Sequence, residues 1–307
     1  MADKARSKRR HGAAGAADSP DDVSEPLAPG LYLLSTPIGA ADDITIRGLE
    51  ALRRADILAC EDTRVLRRLM DLHGVPVGGR PMIAYHDHSS EDVRRRLLED
   101  AATASVVYAS DAGTPLIADP GYRLVVEARS RNLAVVALPG PSAVLAALTV
   151  SGLPTDRFCF GGFPPPKKSA RQKWLREWSA APGALIFYES PRRLAETLED
   201  VVDVLGDREA VVARELTKKF EETRRDSASA LASAYRKEGP PKGEAVVLLA
   251  PSKSPAPPQE EDIEAALRLA LKEMSVKDAA RSVADQLSIP RKIVYHSALR
   301  IAEEDAP

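Results

Sequence analysis

The residues best suited to ligand chemistry lie in one loop, at positions 109–121. Its sequence, ASDAGTPLIADPG, contains two aspartates, two glycines and two prolines, and it joins an apolar β-like run at 104–108 to a helical pattern at 122–130. Loops of this kind lie at the carboxyl edge of open α/β sheets, where ligands bind. Gly113 lets the main chain approach a ligand closely, and the prolines stiffen the loop. We therefore predict a ligand loop here, with an ordinary strand-to-helix turn as the alternative.

Ionisable side chains also follow several other predicted strands. They are Asp62, Arg64, His86, His88, Glu189, Arg192, Arg193, Arg214, Glu215 and Lys218. The carboxylates, imidazoles and amine could exchange protons with a substrate, and the cations suit phosphate or carboxylate contacts. Structural roles are the alternative. Asp62 and Arg64 could form an ion pair that shapes their loop, the histidines could cap the next helix, and the arginines could pair on the surface.

Several classes of site are excluded by what the sequence lacks. No GxGxxG follows the first strand and no GxxxxGK[ST] is present, which argues against dinucleotide and nucleoside triphosphate binding. No histidine, cysteine and aspartate cluster has the spacing of metal ligands, so we predict no metal. Cys60 and Cys159 stand alone, which is typical of reduced thiols in a cytoplasmic protein.

Composition sets the broad class. The 307 residues are 44% hydrophobic and 29% charged, as in a soluble globular protein long enough for two domains. A net charge of −2 excludes a uniformly basic nucleic-acid binder but leaves room for a local basic patch. No apolar run approaches the roughly 18 residues of a membrane helix. Residues 1–29 combine a basic cluster with small and polar residues, and we expect a disordered tail.

Strands that alternate with helices predict the domain order. Residues 30–138 contain five apolar strands, each followed by a helical pattern, which indicates a parallel α/β domain. One of these patterns, at 43–56, has Ile46, Leu49 and Leu52 at helical spacing. Residues 139–250 indicate a second α/β domain with a mixed sheet, including strands at 158–163 and 185–188. The Pro-rich stretch 251–258 is a predicted linker.

The carboxy-terminal residues 259–307 predict a small helical domain. Helices at 275–287 and 291–302 are separated by a three-residue turn, and the second begins with the basic pair Arg291 and Lys292. That order is the helix-turn-helix pattern, although such hairpins are also common packing units. Ile293, Val294 and Leu299 are expected to face inward.

One segment of the second domain is basic in an otherwise slightly acidic chain. It contains Lys167, Lys168, Arg171, Lys173 and Trp174. These residues suit a phosphate backbone, and the tryptophan could stack on an exposed base. A solvated helix with a buried tryptophan is the alternative.

Seven strings together resemble a known family. In chain order they are 31–39 (LYLLSTPIG), 61–64 (EDTR), 86–88 (HDH), 110–117 (SDAGTPLI), 138–142 (LPGPS), 187–193 (FYESPRR) and 214–218 (RELTK). The chain resembles the ribosomal RNA small subunit methyltransferase I family, over roughly 30–250 and again in the carboxy-terminal hairpin. That family has a two-domain tetrapyrrole-methylase-like fold. The resemblance implies methyl transfer from S-adenosyl-L-methionine to the ribose 2′-oxygen of a decoding-centre cytidine in 16S rRNA, and it leaves a homodimer open.

The resemblance also implies which residues hold the cofactor. They are Pro37, Gly39, Ser110, Asp111, Gly113, Thr114, Leu116, Ile117, Ser142 and Ala143, with Phe163 and Ala245 from the second domain. Turn geometry alone is the alternative for Pro37, Gly39 and Gly113. Core packing is the alternative for Leu116 and Ile117.

A ribose hydroxyl needs a proton acceptor, and a placed base contributes roughly 10²–10⁴ in rate. We favour Asp62 and Glu189, on opposite sides of a cleft between the domains, with Arg64, His86 and Lys218 as further catalytic candidates. For RNA we add Arg192, Arg291 and Lys292 to the basic segment.

Two other functions remain open from the sequence. A methylase of porphyrin or corrin precursors would share the core fold, but a small anionic macrocycle needs neither the basic segment nor the helical domain. A non-enzymatic nucleic-acid-binding module would leave the strand-end loops unexplained.

Overall fold

The chain divides into two compact units in the computed structural model, which describes residues 26–86, 89–252, 260–287, 289 and 291–304. The first unit extends to Ala146 and also includes Glu215–Glu221. The second comprises Ala147–Arg214 and the chain from Glu222 onward. The return of seven residues to the first unit was not predicted from the sequence.

The first unit is built on a five-stranded parallel sheet with strand order β3-β2-β4-β1-β5. The strands are β1 (Gly30–Leu34), β2 (Ile57–Cys60), β3 (Met82–Ala84), β4 (Ser105–Ala109) and β5 (Val135–Leu138). Every residue of β4 is buried, as expected for a central strand covered on both faces. The predicted parallel α/β class is confirmed.

Alternating side chains divide this sheet between two apolar layers. Tyr32 and Leu34 face one layer with α1 (Ile46–Arg54) and α2 (Thr63–Leu72). Leu31 and Tyr108 face the other layer with α3 (Glu91–Ala101) and α4 (Tyr122–Ser130). β1 therefore leads to a helix on one face, while its neighbour β4 leads to a helix on the opposite face. This is a topological switch point, and its position fixes where a ligand crevice forms.

Two ends in the first unit differ from the predictions. The helix expected at 43–56 begins at Ile46, because Thr45 accepts a hydrogen bond from the amide of Gly48 at 3.0 Å and caps it. Ile46 is 81% exposed, so only the later apolar residues of this helix face the core. Before β1, Tyr32 donates a hydrogen bond to the carbonyl of Ala28, and Leu27 packs on the core. The packed chain thus begins before residue 30, and residues 1–25 lie outside the described part.

The second unit contains a mixed sheet with strand order β6-β7-β10-β8-β9. The strands are β6 (Phe158–Phe160), β7 (Ala184–Glu189), β8 (Glu209–Arg214), β9 (Glu222–Ser227) and β10 (Ala245–Leu249). Only the β6–β7 pair is parallel, so the prediction of a mixed sheet is correct. β9 was missed because its sequence, ETRRDS, belongs to a solvent-facing edge strand and carries no apolar alternation.

Helices cover this second sheet. α5 (Ala143–Ser151) lies where the chain passes from the first unit to the second. The helices α6 (Lys168–Glu177), α7 (Leu194–Leu205) and α8 (Ala228–Glu238) form one apolar core with β7, β8 and β10.

Three carboxy-terminal helices have a core of their own. They are α9 (Glu260–Ala270), α10 (Val276–Leu287) and α11 (Arg291–Glu304). The inward face of α11 is Val294, Ala298 and Ile301, each fully buried at a spacing of three to four residues. Ile293 is 54% exposed and Leu299 38% exposed, so the prediction that they face inward was wrong. Most of the predicted linker, and the turn apart from Ile289, lie outside the described residues.

One member of the basic segment is part of the core. Arg171 on α6 is 1% exposed, and its guanidinium binds the carboxylate of Asp200 on α7 at 2.7 Å. Gln172 donates to the other oxygen of that carboxylate at 2.8 Å. Arg171 is therefore a structural residue that fixes α6 on α7, and the RNA-binding role predicted for it is wrong.

Replacing Arg171 by methionine should destabilise the protein strongly, because Asp200 would stay buried without its main counter-charge. Breaking such a pair from one side costs about 3–5 kcal/mol. Lys168→Met is the matched control: its side chain is 68% exposed and lies 3.7 Å from the same carboxylate, so its loss should stay below about 1 kcal/mol. Urea unfolding followed by fluorescence of Trp174 and Trp178, which lie in and directly after α6, measures both. Equal losses would contradict this account.

Candidate functional site

The loops after β1, β4 and β5 are hydrogen-bonded to one another at the switch point. Thr36 and Gly113 exchange main-chain hydrogen bonds in both directions, at 2.9 and 3.0 Å. The hydroxyl of Thr36 donates to the carbonyl of Ser110 at 3.0 Å. Thr114 accepts from Ser35 at 3.2 Å and donates to the carbonyl of Pro141 at 3.0 Å. One bonded framework therefore carries three of the predicted cofactor loops.

The loop after β4 has an unusual backbone. Four of its residues have positive φ: Gly113 at 83°, Leu116 at 71°, Ala118 at 61° and Gly121 at 117°. For Leu116 and Ala118 this conformation costs of order 1–3 kcal/mol each. Such strain is found where the surrounding structure holds a loop in a shape that a ligand requires. Ile117 is 41% exposed, so core packing does not account for it.

Glycine is required at position 39, in the loop after β1, because another segment of the chain approaches its backbone closely, and not because of turn geometry. A Cβ at this position would lie 2.6 Å from both the Thr217 hydroxyl and the Cγ of Lys218. The amide of the next residue, Ala40, donates to the Thr217 hydroxyl at 3.0 Å. The returning segment Glu215–Glu221 is thus docked on the loop that contains Pro37 and Gly39.

Carboxylates from the loops after β2 and β4 interlock beside this framework. The amide of Asp62 donates to Asp111 at 3.0 Å, and the amide of Asp111 donates to Glu61 at 3.3 Å. Burial raises the pKa of Asp111. The structure therefore brings Asp62 and Asp111 together, as expected for residues at one sheet edge.

Asp62 is a capping and ion-pairing residue. Its carboxylate accepts from the amide of Arg64 at 2.8 Å and binds both Nε and a terminal nitrogen of that guanidinium. These hydrogen bonds lower the pKa of Asp62 to about 2. A carboxylate with so low a pKa accepts protons poorly near neutral pH. Its geometry therefore disfavours the role of base and matches the ion-pair alternative, with the side chain of Arg64 89% exposed.

Glu189, the other favoured base, is an internal anchor. Its side chain is fully buried and accepts from the amide of Ser190 at 2.6 Å, Arg193 at 2.8 Å and the Thr197 hydroxyl at 2.6 Å. These bonds tie the end of β7 to the start of α7. The prediction that Glu189 faces a ribose is contradicted by this burial.

The remaining proton-acceptor candidates lie in the first unit. His86 is exposed, and its main chain exchanges hydrogen bonds with Ser89. The cap of α3 is Ser90 rather than a histidine, and His88 lies outside the described residues. Lys218 is paired with Glu215 at 3.1 Å. A catalytic role for His86 or Lys218 stays a prediction.

Asp119 was missed as a site residue, because an aspartate before a proline and a glycine resembles ordinary turn punctuation. It lies in the strained loop and is half-buried. Burial, and secondly the negative charge of Asp111, raise the pKa of Asp119 to about 6. Its carboxylate has no hydrogen-bond or ion-pair partner within the described part of the chain. A perturbed, unpaired carboxylate in a predicted ligand loop is a functional-site candidate.

The remaining cofactor and RNA candidates follow the first-unit loops in the sequence, and most of them belong to the second unit. Phe163 is 60% exposed, with its ring centroid 5.2 Å from that of Tyr188, and Ala245 is the buried first residue of β10. Their cofactor role stays a prediction, as does that of Ser142 and Ala143 before and at the start of α5. Trp174 is partly buried and packs edge-on against Phe187, which favours the buried-tryptophan alternative over the stacking role predicted for it. Among the predicted RNA-binding residues, the exposed cations are Lys167, Lys168, Lys173, Arg192, Arg291 and Lys292.

Two further properties of the described ranges concern metal-ligand groups and membrane-spanning helices. Within them, no group of three or more histidine, cysteine, aspartate or glutamate residues could hold a metal ion. No helix there is both long and apolar enough to cross a bilayer.

Comparison with known proteins decides the family. A family model described as Tetrapyrrole (Corrin/Porphyrin) Methylases matches residues 30–232, and one described as the RsmI C-terminal HTH domain matches 257–302. The chain is 46% identical over 282 residues to a protein of Mesorhizobium japonicum named ribosomal RNA small subunit methyltransferase I, covering 91% of this chain and 95% of that one. It belongs to the ribosomal RNA small subunit methyltransferase I family of tetrapyrrole methylases. The resemblance inferred from the seven strings is confirmed.

Two solved structures show the same fold. A cobalt precorrin-4 methyltransferase superposes with a TM-score of 0.54 at 19% identity, covering 72% of this chain and 94% of that one. A uroporphyrin-III C-methyltransferase of Thermus thermophilus, complexed with S-adenyl homocysteine, superposes with a TM-score of 0.50 at 21% identity, covering 72% and 97%. Together with the two family models, they confirm the predicted tetrapyrrole-methylase fold with its helix-turn-helix domain.

The protein is a methyltransferase of the class that uses S-adenosylmethionine. The switch-point edge fits this group chemically. The carboxylate of Asp111 complements its positive charges, and the partly exposed Ile117 offers apolar surface to its adenine. The residues of this edge that would hold it are Pro37, Gly39, Ser110, Asp111, Gly113, Thr114, Leu116 and Ile117.

Asp119→Asn should make the protein more stable at pH 8 than the wild type, and the gain should shrink as the pH falls toward 5. The folded-state pKa, about 6, lies above the reference value of 3.8. The stabilising contribution of the protonated carboxyl is therefore complete below pH 4 and lost as the pH rises through 6. The amide does not ionise and avoids that loss.

Melting temperatures of both proteins from pH 5 to 8 measure the effect. Asp62→Asn is the control, because the pKa of Asp62 lies near 2 and its stability difference from the wild type should stay flat over this range. A constant Asp119→Asn difference would refute the assignment.

Proposed function

We propose that the protein methylates the ribose 2′-hydroxyl of a decoding-centre cytidine in 16S rRNA. The observation that carries this proposal is the family match over both the catalytic fold and the appended helical domain, 257–302. A methylase of small macrocycles would need only the first of these. The curated relative named above is a small-subunit rRNA methyltransferase, and it spans nearly the whole chain.

RNA contact is assigned in this proposal to the exposed cations. Lys167, Lys168, Lys173 and Arg192 belong to the second unit, and Arg291 and Lys292 begin α11. Lysine and arginine at such positions neutralise phosphates without reading sequence. Basic residues at the start of a second helix also match the way a helix-turn-helix contacts nucleic acid.

The cofactor supplies an electrophilic methyl group, and the protein must align the hydroxyl with it and remove a proton. The bonded framework of the three loops serves alignment, because fixed geometry replaces the entropy loss of a bimolecular encounter. Proton removal needs a group whose pKa lies near neutrality. With Asp62 held near pKa 2 and Glu189 buried, Asp119 suits this role best.

The location and assembly of the protein are part of the proposal. Two free cysteines, Cys60 and Cys159, support a cytoplasmic site of action, where small ribosomal subunits are assembled. A homodimer stays a prediction, and sedimentation of the purified chain tests it.

Tritium transfer from labelled S-adenosylmethionine to small subunits tests the function. The subunits come from a strain that lacks the gene, and the labelled RNA is digested to nucleosides. We expect the label in 2′-O-methylcytidine. Label in a methylated base would overturn the ribose assignment, and transfer only to uroporphyrinogen III or a precorrin would favour the macrocycle alternative.

Asp119→Asn should slow single-turnover methyl transfer by roughly 10²–10⁴ if this carboxylate accepts the proton. The wild-type rate should rise with pH up to about 6, following the pKa of Asp119, and the variant should lose that rise. Asp62→Asn should keep the pH profile and lose much less rate, because it removes only a cap and an ion pair. A near-wild-type rate for Asp119→Asn would leave His86, Lys218 or water as the acceptor.

A further inference from the structure

The returning segment Glu215–Glu221 carries an exposed aromatic residue whose location has no structural explanation. Phe220 is 68% exposed, and the Lys219 ammonium lies 5.6 Å from the centre of its ring. Exposed phenylalanine contributes nothing to the core, and a cation beside an aromatic face is the pairing found where proteins bind single-stranded nucleic acid. We propose that Lys219 and Phe220 form a platform that stacks one base of a single-stranded RNA and contacts its phosphate.

The platform is rigidly supported. Thr217 donates its amide to Glu221 at 2.5 Å, Lys218 donates its amide to the carbonyl of Glu215 at 2.9 Å, and Glu221 donates its amide to the carbonyl of Lys218. Leu216 is buried and anchors the segment. Glu215 and Thr217 have φ of 51° and 63°, a conformation that costs energy and persists only when the rest of the loop imposes it. A preformed loop loses little entropy on binding.

The charges of the segment favour an anionic partner at its tip. The two glutamates that flank the tip are engaged within the segment, since Glu221 accepts a hydrogen bond from the Thr217 amide and Glu215 pairs with Lys218. Lys219 instead lies exposed beside the ring. A phosphate could therefore approach Lys219 while a base covers Phe220.

The docking of the segment places this platform beside the candidate site. Thr217 accepts a hydrogen bond from Ala40, and Lys218 approaches Gly39, in the loop that leaves β1 at the switch point. An enzyme that modifies a ribose must hold the nucleotide out of its stack, and aromatic stacking is a common means of doing so. The inference rests on the proposed function, and it assigns to this segment the grip on the target nucleotide or its neighbour.

Phe220→Leu tests stacking, because leucine keeps the apolar surface and removes the flat ring. We expect the half-saturating concentration of small subunits to rise roughly 5- to 150-fold, the range that corresponds to the loss of one stacked base. Phe220→Tyr keeps the flat ring and should have the half-saturating concentration of the wild type. Affinity for S-adenosylmethionine, measured by calorimetry, should be unchanged in both, which shows that the loop after β1 is intact.

Leu72→Ala is the matched control, since Leu72 is 63% exposed and is the last residue of α2. It should behave as wild type. Lys219→Gln should weaken binding and lower the slope of log affinity against log salt by about 0.7–0.9, one phosphate contact.

A Phe220→Leu protein with wild-type subunit affinity would overturn the platform while the proposed function stands. If the wild type transfers no methyl group to subunits, the proposed function fails separately. Anisotropy of a labelled single-stranded RNA 12-mer then tests the platform without catalysis, and equal affinities for the wild type and Phe220→Leu would overturn it. Sedimentation completes the test: a change of oligomeric state in Phe220→Leu, with RNA affinity unchanged, would make the tip a contact between copies of the chain and refute the proposal.

Discussion

The reciprocal main-chain hydrogen bonds between Thr36 and Gly113 are the constraint on which the candidate site depends. β1 and β4 are neighbours whose chains leave toward opposite faces of the sheet, so their loops would diverge without a link. The bridge closes that divergence, and the hydroxyls of Thr36, Ser110 and Thr114 extend it to the loop after β5. Because the bridge uses the backbone of Gly113 at φ 83°, a side chain there would be strained even though its Cβ would make only ordinary contacts.

Much of the first unit could be predicted because its signals are local. Buried parallel strands are continuous apolar runs, and the bounds of α4 were predicted residue by residue. The loop at 109–121 could be recognised from residue types alone, since its glycines, prolines and aspartates restrict the backbone directly. Asp119 could not be ranked in the same way, because its pKa depends on burial and on the charge of Asp111.

The errors share a different physical origin, namely contacts between residues distant in sequence. In the sequence Arg171 is one cation of a basic run, but in the structure it is paired with Asp200, 29 residues away. The sequence predicts stacking on a base for Trp174, but in the structure its ring packs against Phe187. The sequence predicts a base at a strand end for Glu189, but in the structure its carboxylate is buried against the first turns of α7. A charge or a ring has the same appearance in the sequence whether it is solvated or buried, and only the fold decides between them.

The fold itself does not select the substrate. The fold is shared with a cobalt precorrin-4 methyltransferase and a uroporphyrin-III C-methyltransferase, at identities near 20%. Discrimination must therefore come from what this chain builds around the shared frame. One such feature is the helical domain with its separate core, which follows the residues matched by the tetrapyrrole-methylase family model. Within the matched residues, the segment Glu215–Glu221 docks on the loop after β1. Gly39 has room only for hydrogen where Thr217 and Lys218 approach it. The docked segment thus requires glycine at position 39. One contact therefore constrains both the loop after β1, which would hold the methyl donor, and the platform of Lys219 and Phe220, which would hold the acceptor.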